Sequence, residues 1–156
     1  MTDTNSGSGA APQISILGQF IKDLSFENPG MMQGPPTGKP ALQVGVDVAA
    51  KPLGNDQYEC ALRCMITARN GEATAFVIEL VYAGVIVLKN IPQDSLQPVL
   101  LIEAPRLIFP FARRIIADLT RDGGYSPLML DPIDFAQLYR QRLEQSRNAL
   151  GQQGAV

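Results

Sequence analysis

The chain contains no histidine, no tryptophan and only two cysteines. Without imidazole it lacks the commonest general base, the imidazole zinc ligand and the usual activator of a serine or cysteine nucleophile, so much of enzyme chemistry is excluded at the outset. Cys60 and Cys64 fall four residues apart in an alternating β pattern. At about 3.3 Å per residue they stand roughly 13 Å apart, beyond the reach of a disulfide. No further soft ligand completes a metal set, and the pair reads as two small buried hydrophobes in a reducing compartment. No phosphate-cradling loop, dinucleotide glycine pattern or HExxH helix occurs, so no cofactor or metal is expected. Charge is scarce as well, at 18% of residues with a net charge of −2. Attraction to nucleic acid or an anionic membrane is disfavoured, and a basic partner fits better. The most apolar run, FVIELVYAGVIVL at residues 76–88, is broken by Glu79 and is shorter than the roughly 20 residues that cross a bilayer. The start, MTDTNSGSGAAPQ, has neither the basic region nor the apolar core of a secretion signal, and a cytoplasmic protein is expected.

What is present is 156 residues, 46% of them hydrophobic, enough for one domain with a real core. The expected organisation is a flexible tail at 1–12, one domain at 13–145 and a polar tail at 146–156. Within 13–27, Phe20, Leu24 and Phe26 alternate with Gln19, Asp23, Ser25 and Glu27, which is strand periodicity with an acidic face. The proline- and glycine-rich residues 27–40 form a crossover loop whose only sizeable apolar groups are Met31 and Met32. Leu42, Val44, Val46 and Val48 alternate with smaller or polar residues as a second strand, and residues 58–69 and 73–87 give a third and fourth. Asn70-Gly71 suits a type I′ hairpin. A two-residue loop there would set Arg69 against Glu72, Cys64 against Val77 and Leu62 against Glu79. The alternation in the central strands reads as apolar on both faces, so a sheet covered on both sides, by oligomerisation, is expected.

Two helices follow. Ile108, Phe111, Ala112, Ile115 and Leu119 lie at helical spacing, with Pro110 expected in the first turn and Gly123-Gly124 ending the helix. Asp131-Pro132-Ile133-Asp134 reads as the start of the second, with Asp131 as N-cap, and Phe135, Leu138, Tyr139 and Leu143 as its apolar stripe. The order gives an α+β fold, a four-stranded antiparallel sheet followed by two helices. Asp23 and Glu27 would be roughly 13 Å apart on a strand, too far for a glycosidase pair, which leaves an acidic face for solvent or a partner. An enzyme with a small closed pocket stays open as the rival to a binding module.

Four segments in order, FIKDLSFENP (20–29), GEATAF (71–76), LIFPFARRII (107–116) and GGYSPLMLDPIDFAQLY (123–139), resemble the SecB family of bacterial export chaperones over most of the chain. The resemblance implies a dimer of dimers, a homotetramer, that binds unfolded precursor proteins without nucleotide and passes them to the SecA motor. That motor's basic, zinc-binding C-terminal tail docks on an acidic sheet surface, so the zinc belongs to the motor. Carried over residue by residue, the docking acids are Asp23, Glu27 and Glu79, with Val77 beside them, and the tetramer-interface positions are Ile78, Leu80 and Tyr82. The client groove is expected at Met31, Met32, Leu42, Tyr125, Leu128, Met129, Phe135 and Leu138, where flexible methionines suit a promiscuous binder. In the crossover loop familiar members often carry a tryptophan, which this chain lacks. A SecB-like chaperone serving toxin–antitoxin pairs or general proteostasis stays open beside the export role, as does an ordinary core role for LIFPFARRII.

Overall fold

The computed structural model describes residues 10–34 and 38–153. The expected tail at 1–9, loop residues 35–37 and the last residues 154–156 lie outside them. Four antiparallel strands, β1 (Gln13–Glu27), β2 (Ala41–Gly54), β3 (Gln57–Asn70) and β4 (Ala73–Lys89), form one sheet in the order β1-β4-β3-β2. The crossover loop opens with a short helical turn, Pro29–Gln33, and carries the chain from one sheet edge to the other. After β4, an irregular helical lead-in at residues 93–103 runs directly into α1 (Ala104–Asp122), and α2 is Phe135–Gln153.

The even-numbered residues of β3 and β4 form one side of the core. Cys60, Leu62, Cys64, Ile66, Ile78, Leu80 and Ile86 are all 0% exposed, and beneath them α1 presents Ile108, Ala112 and Ile116, equally buried. Each such aliphatic side chain stabilises the fold by roughly 1.5–3 kcal/mol. On the opposite face the odd-numbered Val77, Val81, Val85 and Val87 are only partly buried and are interleaved with Glu79, Arg63 and Glu59. Only one face is therefore fully apolar, contrary to the expectation of two, and both helices lie against it. Ile78 and Leu80, expected at a partner interface, are filled by their own chain. Tyr82 is 8% exposed, its hydroxyl donating to Gln19 Oε1 at 3.2 Å and its ring stacked on Phe111.

The β3–β4 register differs from the expected one. Arg69 faces Thr74, Cys64 faces Leu80, Leu62 faces Tyr82, and Glu79 faces Met65. Two causes add. The loop residues are Gly71-Glu72, with Asn70 paired to Ala73, and only Gly71 (φ 63°) is left-handed, the pattern of a type II′ rather than a type I′ turn. An irregularity beside Ala68 then adds one more residue on β4. A run of consecutive positive-φ residues, Gly54, Asn55 and Asp56, lies instead at the turn between β2 and β3. In β1, bulges at Leu17 and Lys22 each interrupt the alternation. Phe20 pairs with Ala83 on the open face, while Leu24 and Phe26 lie on the helix face, so the single apolar face read from β1 is split.

The helices depart from expectation at their ends. Pro110 lies inside α1, and it is Pro105 that occupies the first turn. The wide π turn at Val99–Glu103 makes room for a proline ring that would otherwise meet the carbonyl four residues back. The buried face of α1 includes Phe109 and Thr120, whereas Leu107 and Phe111 are 42% and 43% exposed. As expected, the helix ends at Gly123-Gly124, whose N–H groups donate to the carbonyls of Leu119 and Arg121. Asp134 rather than Asp131 caps α2, accepting from the Gln137 N–H at 3.0 Å. That helix continues to Gln153 through residues read as a polar tail, with every side chain from 144 to 152 exposed.

Because Leu80 sits inside one chain, Leu80→Arg should abolish cooperative folding and not merely change the mass of a folded assembly. A buried unpaired charge costs several kcal/mol, and urea unfolding followed by circular dichroism checks this. A folded variant of lower mass would restore the interface reading.

Candidate functional site

Two surfaces emerge, on opposite sides of the sheet. The first is acidic. Glu27 pairs directly with Val77, Ser25 with Glu79 and Asp23 with Val81, so Asp23 and Glu27 flank Glu79 diagonally on the open face, with Val77 between them. All four sequence-predicted residues are thus brought together. The corrected hairpin register leaves this intact because Met65, the true neighbour of Glu79, is also an open-face residue. One feature was missed: Arg63 forms an ion pair with Glu79 from the neighbouring strand. It withdraws part of the patch's charge and leaves Asp23 and Glu27 as its freer carboxylates.

The second surface is a pair of adjoining clefts between β2, the crossover loop and the segment linking the two helices. One, of about 470 Å³, is lined by Leu42, Val44, Val46, Leu128, Met129, Ile133 and Leu138. The other, of about 590 Å³, is lined by Pro40, Leu42, Phe76, Tyr125, Pro127 and Leu128. Leu42 and Leu128 belong to both. Of the expected groove residues, Leu42, Tyr125, Leu128, Met129 and Leu138 line these walls. Phe135 does not: it is 1% exposed and set edge-on against the Phe109 ring, a core residue. Met31 packs its sulfur and methyl over Gly124, next to the groove, while Met32 is 90% exposed and lines neither cleft. Val44, Val46, Phe76, Pro127 and Ile133 were missed. The first two were legible, since period-two alternation places them on one face with Leu42.

Hydrogen bonds hold the groove walls in place. The Tyr125 hydroxyl donates to Asn28 Oδ1 at 2.8 Å and lies 3.2 Å from the Ala75 carbonyl, and Asn28 Nδ2 donates to the Gly123 carbonyl at 2.8 Å. Burial raises the Tyr125 phenol above its ordinary value, so the donor stays protonated. Gly30 lies beneath it, where a Cβ would stand 2.6 Å from the hydroxyl oxygen and 2.8 Å from the Ala75 carbonyl. Phe26, Phe76 and Tyr125 pack in a row of tilted rings, with centroids 6.0 and 4.9 Å apart, and Phe76 and Tyr125 line the second cleft. On the far side, the Leu128 N–H donates to buried Thr120 Oγ1 at 2.8 Å.

The cysteines take no part in either surface. Both are buried and free, and burial pushes Cys60 up to about 12 and Cys64 to about 11, which removes the thiolate a nucleophile needs. Among the described residues no cluster of His, Cys, Asp and Glu could hold a metal, and no helix is long and apolar enough to cross a membrane.

The family model described as preprotein translocase subunit SecB matches residues 7–146. The chain belongs to the SecB family. Relatives named protein-export protein SecB include that of Parvibaculum lavamentivorans, 50% identical with 90% of this chain and 85% of the relative covered. That of Xanthobacter autotrophicus is 49% identical, with 93% and 96% covered, and that of Rhodopseudomonas palustris is 48% identical, with 89% and 90% covered. The SecB fold is also shared with the SecB-like chaperone of Mycobacterium tuberculosis, solved in complex with a peptide from an antitoxin. That match has a TM-score of 0.63 at 12% identity and covers 77% of this chain and 90% of the other.

Thr120 makes the groove's rear wall testable. Thr120→Val keeps the shape but leaves the Leu128 N–H without its acceptor, and should cost about 1–3 kcal/mol in urea-unfolding experiments. Unchanged stability would show that the bond does not hold the wall.

Proposed function

We propose that this chain is an ATP-independent holdase of the cytoplasm, which keeps precursor proteins unfolded and delivers them to the SecA motor for export. The observation that carries the reading is the pair of open apolar clefts sharing Leu42 and Leu128, in a member of the SecB family. Clefts of this kind take apolar stretches of many sequences, as a holdase requires, because their lining supplies burial without demanding a fixed pattern of polar partners. The export role is preferred to antitoxin service: relatives at 48–50% identity carry the export name, whereas the antitoxin-bound neighbour is 12% identical and shares the fold alone.

In this proposal the open-face acids Asp23, Glu27 and Glu79, with Val77, receive the motor's basic tail. Rim charges of this sort mainly raise the association rate, and their effect falls with salt. The client clefts lie on the other side of the sheet, so the two partners need not compete. Changing Asp23 and Glu27 together to lysine should weaken binding of a basic tail peptide by about tenfold or more, about 1.4 kcal/mol, in calorimetry. Protection of an unfolded client from aggregation should be retained. Equal loss of both activities would refute the division of labour.

The homotetramer belongs to the same proposal. With Ile78 and Leu80 filled internally, the surface for other copies is the free edge of β1 and the adjoining flank of α1. There Leu17, Phe20 and Ile21 are 62%, 40% and 47% exposed, and Leu107 and Phe111 are also bare. An apolar edge of this length, left uncovered, is an aggregation hazard. The segment LIFPFARRII, 107–116, then serves two ends, one face in the core and one toward a partner. Leu17→Arg with Phe111→Arg should lower the mass in light scattering while the circular dichroism of the folded chain persists. An unchanged tetramer would place the interface elsewhere.

A further inference from the structure

We propose that Arg142 and Asp47 form a latch that seals the free edge of β2 at Val48 and so limits the length of extended polypeptide the groove can hold. β2 is an edge strand, paired only with β3. In an antiparallel ladder a residue's N–H and C=O both point toward the partner strand or both away, alternating along the strand. Val48 points away. Its N–H donates to Asp47 Oδ1 at 3.0 Å, and its carbonyl accepts from Arg142 of α2. The β2–β3 register has no shift between Ala41 and Pro52, so Leu42, Val44 and Val46 also point away. Among the described residues, no backbone bond from outside the sheet reaches them. The strand therefore offers an open hydrogen-bonding edge beside the apolar clefts, and the next outward residue along it is closed.

The seal is made of two groups that hold each other, Arg142 Nη2 standing 3.3 Å from Asp47 Oδ1. Beyond it on the same edge lies a third cleft, of about 660 Å³, lined by Ala50, Pro52, Leu96, Leu100, Tyr139 and Leu143 among others. Arg142 lines this cleft and neither of the client clefts, and it holds the carbonyl of Val48, the first outward residue past Val46. Both side chains of the pair are substantially exposed, at 43% and 61%, and an ion pair so exposed is weak and screened by salt, a bond that a competing strand can displace.

The occupant is an extended stretch of unfolded polypeptide with apolar residues at alternate positions. Strand addition supplies backbone bonds whatever the sequence, and every second side chain turns into the cleft. A short segment uses the edge as far as Val46. A longer one needs Val48 and Ala50, and must displace the guanidinium. This inference rests on the client-binding reading above and adds the group that sets the bound length.

The test uses two labelled peptides, valine alternating with serine or lysine, of about six and about twelve residues at roughly 3.3 Å per residue, titrated by fluorescence anisotropy against the full chain. The wild type should bind both with similar affinity. Arg142→Ala should bind the longer about tenfold more tightly and the shorter within about twofold of the wild type. In hydrogen exchange the Val48 and Ala50 amides should gain protection with the longer peptide in the variant only. Should that variant fail to fold, Arg142→Lys and Asp47→Ala carry the same comparison. Equal effects on both peptides, or none on the longer, would overturn the latch alone. A wild type that bound neither peptide would overturn the client-binding reading, and the latch with it.

Discussion

The rest of the molecule depends on the packing of β4 beneath α1. β4 is a central strand, bonded to β1 on one side and β3 on the other, and its even-numbered side chains are pressed under the helix with almost no exposure. Strand geometry turns each neighbour to the other face. Once Ile78 and Leu80 are committed inward, Val77 and Glu79 must face outward. The acidic surface is therefore the reverse side of the core, and neither can move without the other.

One-sided coverage has a second consequence. Both helices lie on one face, and the sheet ends in two unpaired edges, β1 and β2, which have different surroundings. β1 is bulged twice and carries large apolar side chains along its length, the surface proposed for other copies of the chain. β2 keeps an unbroken register until Pro52 and lies under the loop joining the helices, beside the clefts proposed for clients. The same physical liability, an open strand edge, thus serves assembly on one side and recognition on the other.

The groove itself is assembled from distant parts of the chain. Asn28 and Tyr125 are linked by a hydrogen bond across 97 residues of sequence, and Thr120 fastens Leu128 behind them. The closeness of these contacts, with no room for a Cβ at Gly30, makes the ENPG turn and the GGY turn one rigid unit. Leu42, Met129 and Leu138 can then vary their contacts around a fixed frame.

From sequence alone the four strands, the two helices and the family were legible, because period-two and 3.6-residue patterns are local properties that survive in any packing. The acidic face was legible for the same reason, since Asp23 and Glu27 share a parity that no bulge interrupts. Three things were settled only in three dimensions. The hairpin register hinged on which residue took the left-handed turn position and on one bulge. The resulting three-residue shift exchanges which face of β4 each β3 residue meets, and β4, with valines on its odd positions as well as large apolar residues on its even ones, hides that exchange in the sequence. Whether Ile78 and Leu80 met a helix of their own chain or another chain was undecidable from their apolarity, since burial by either has the same chemistry. The seal on β2 joins Val48, and Asp47 beside it, to Arg142, 94 positions along the chain from Val48, and a contact so distant is made by the fold, not by any local pattern.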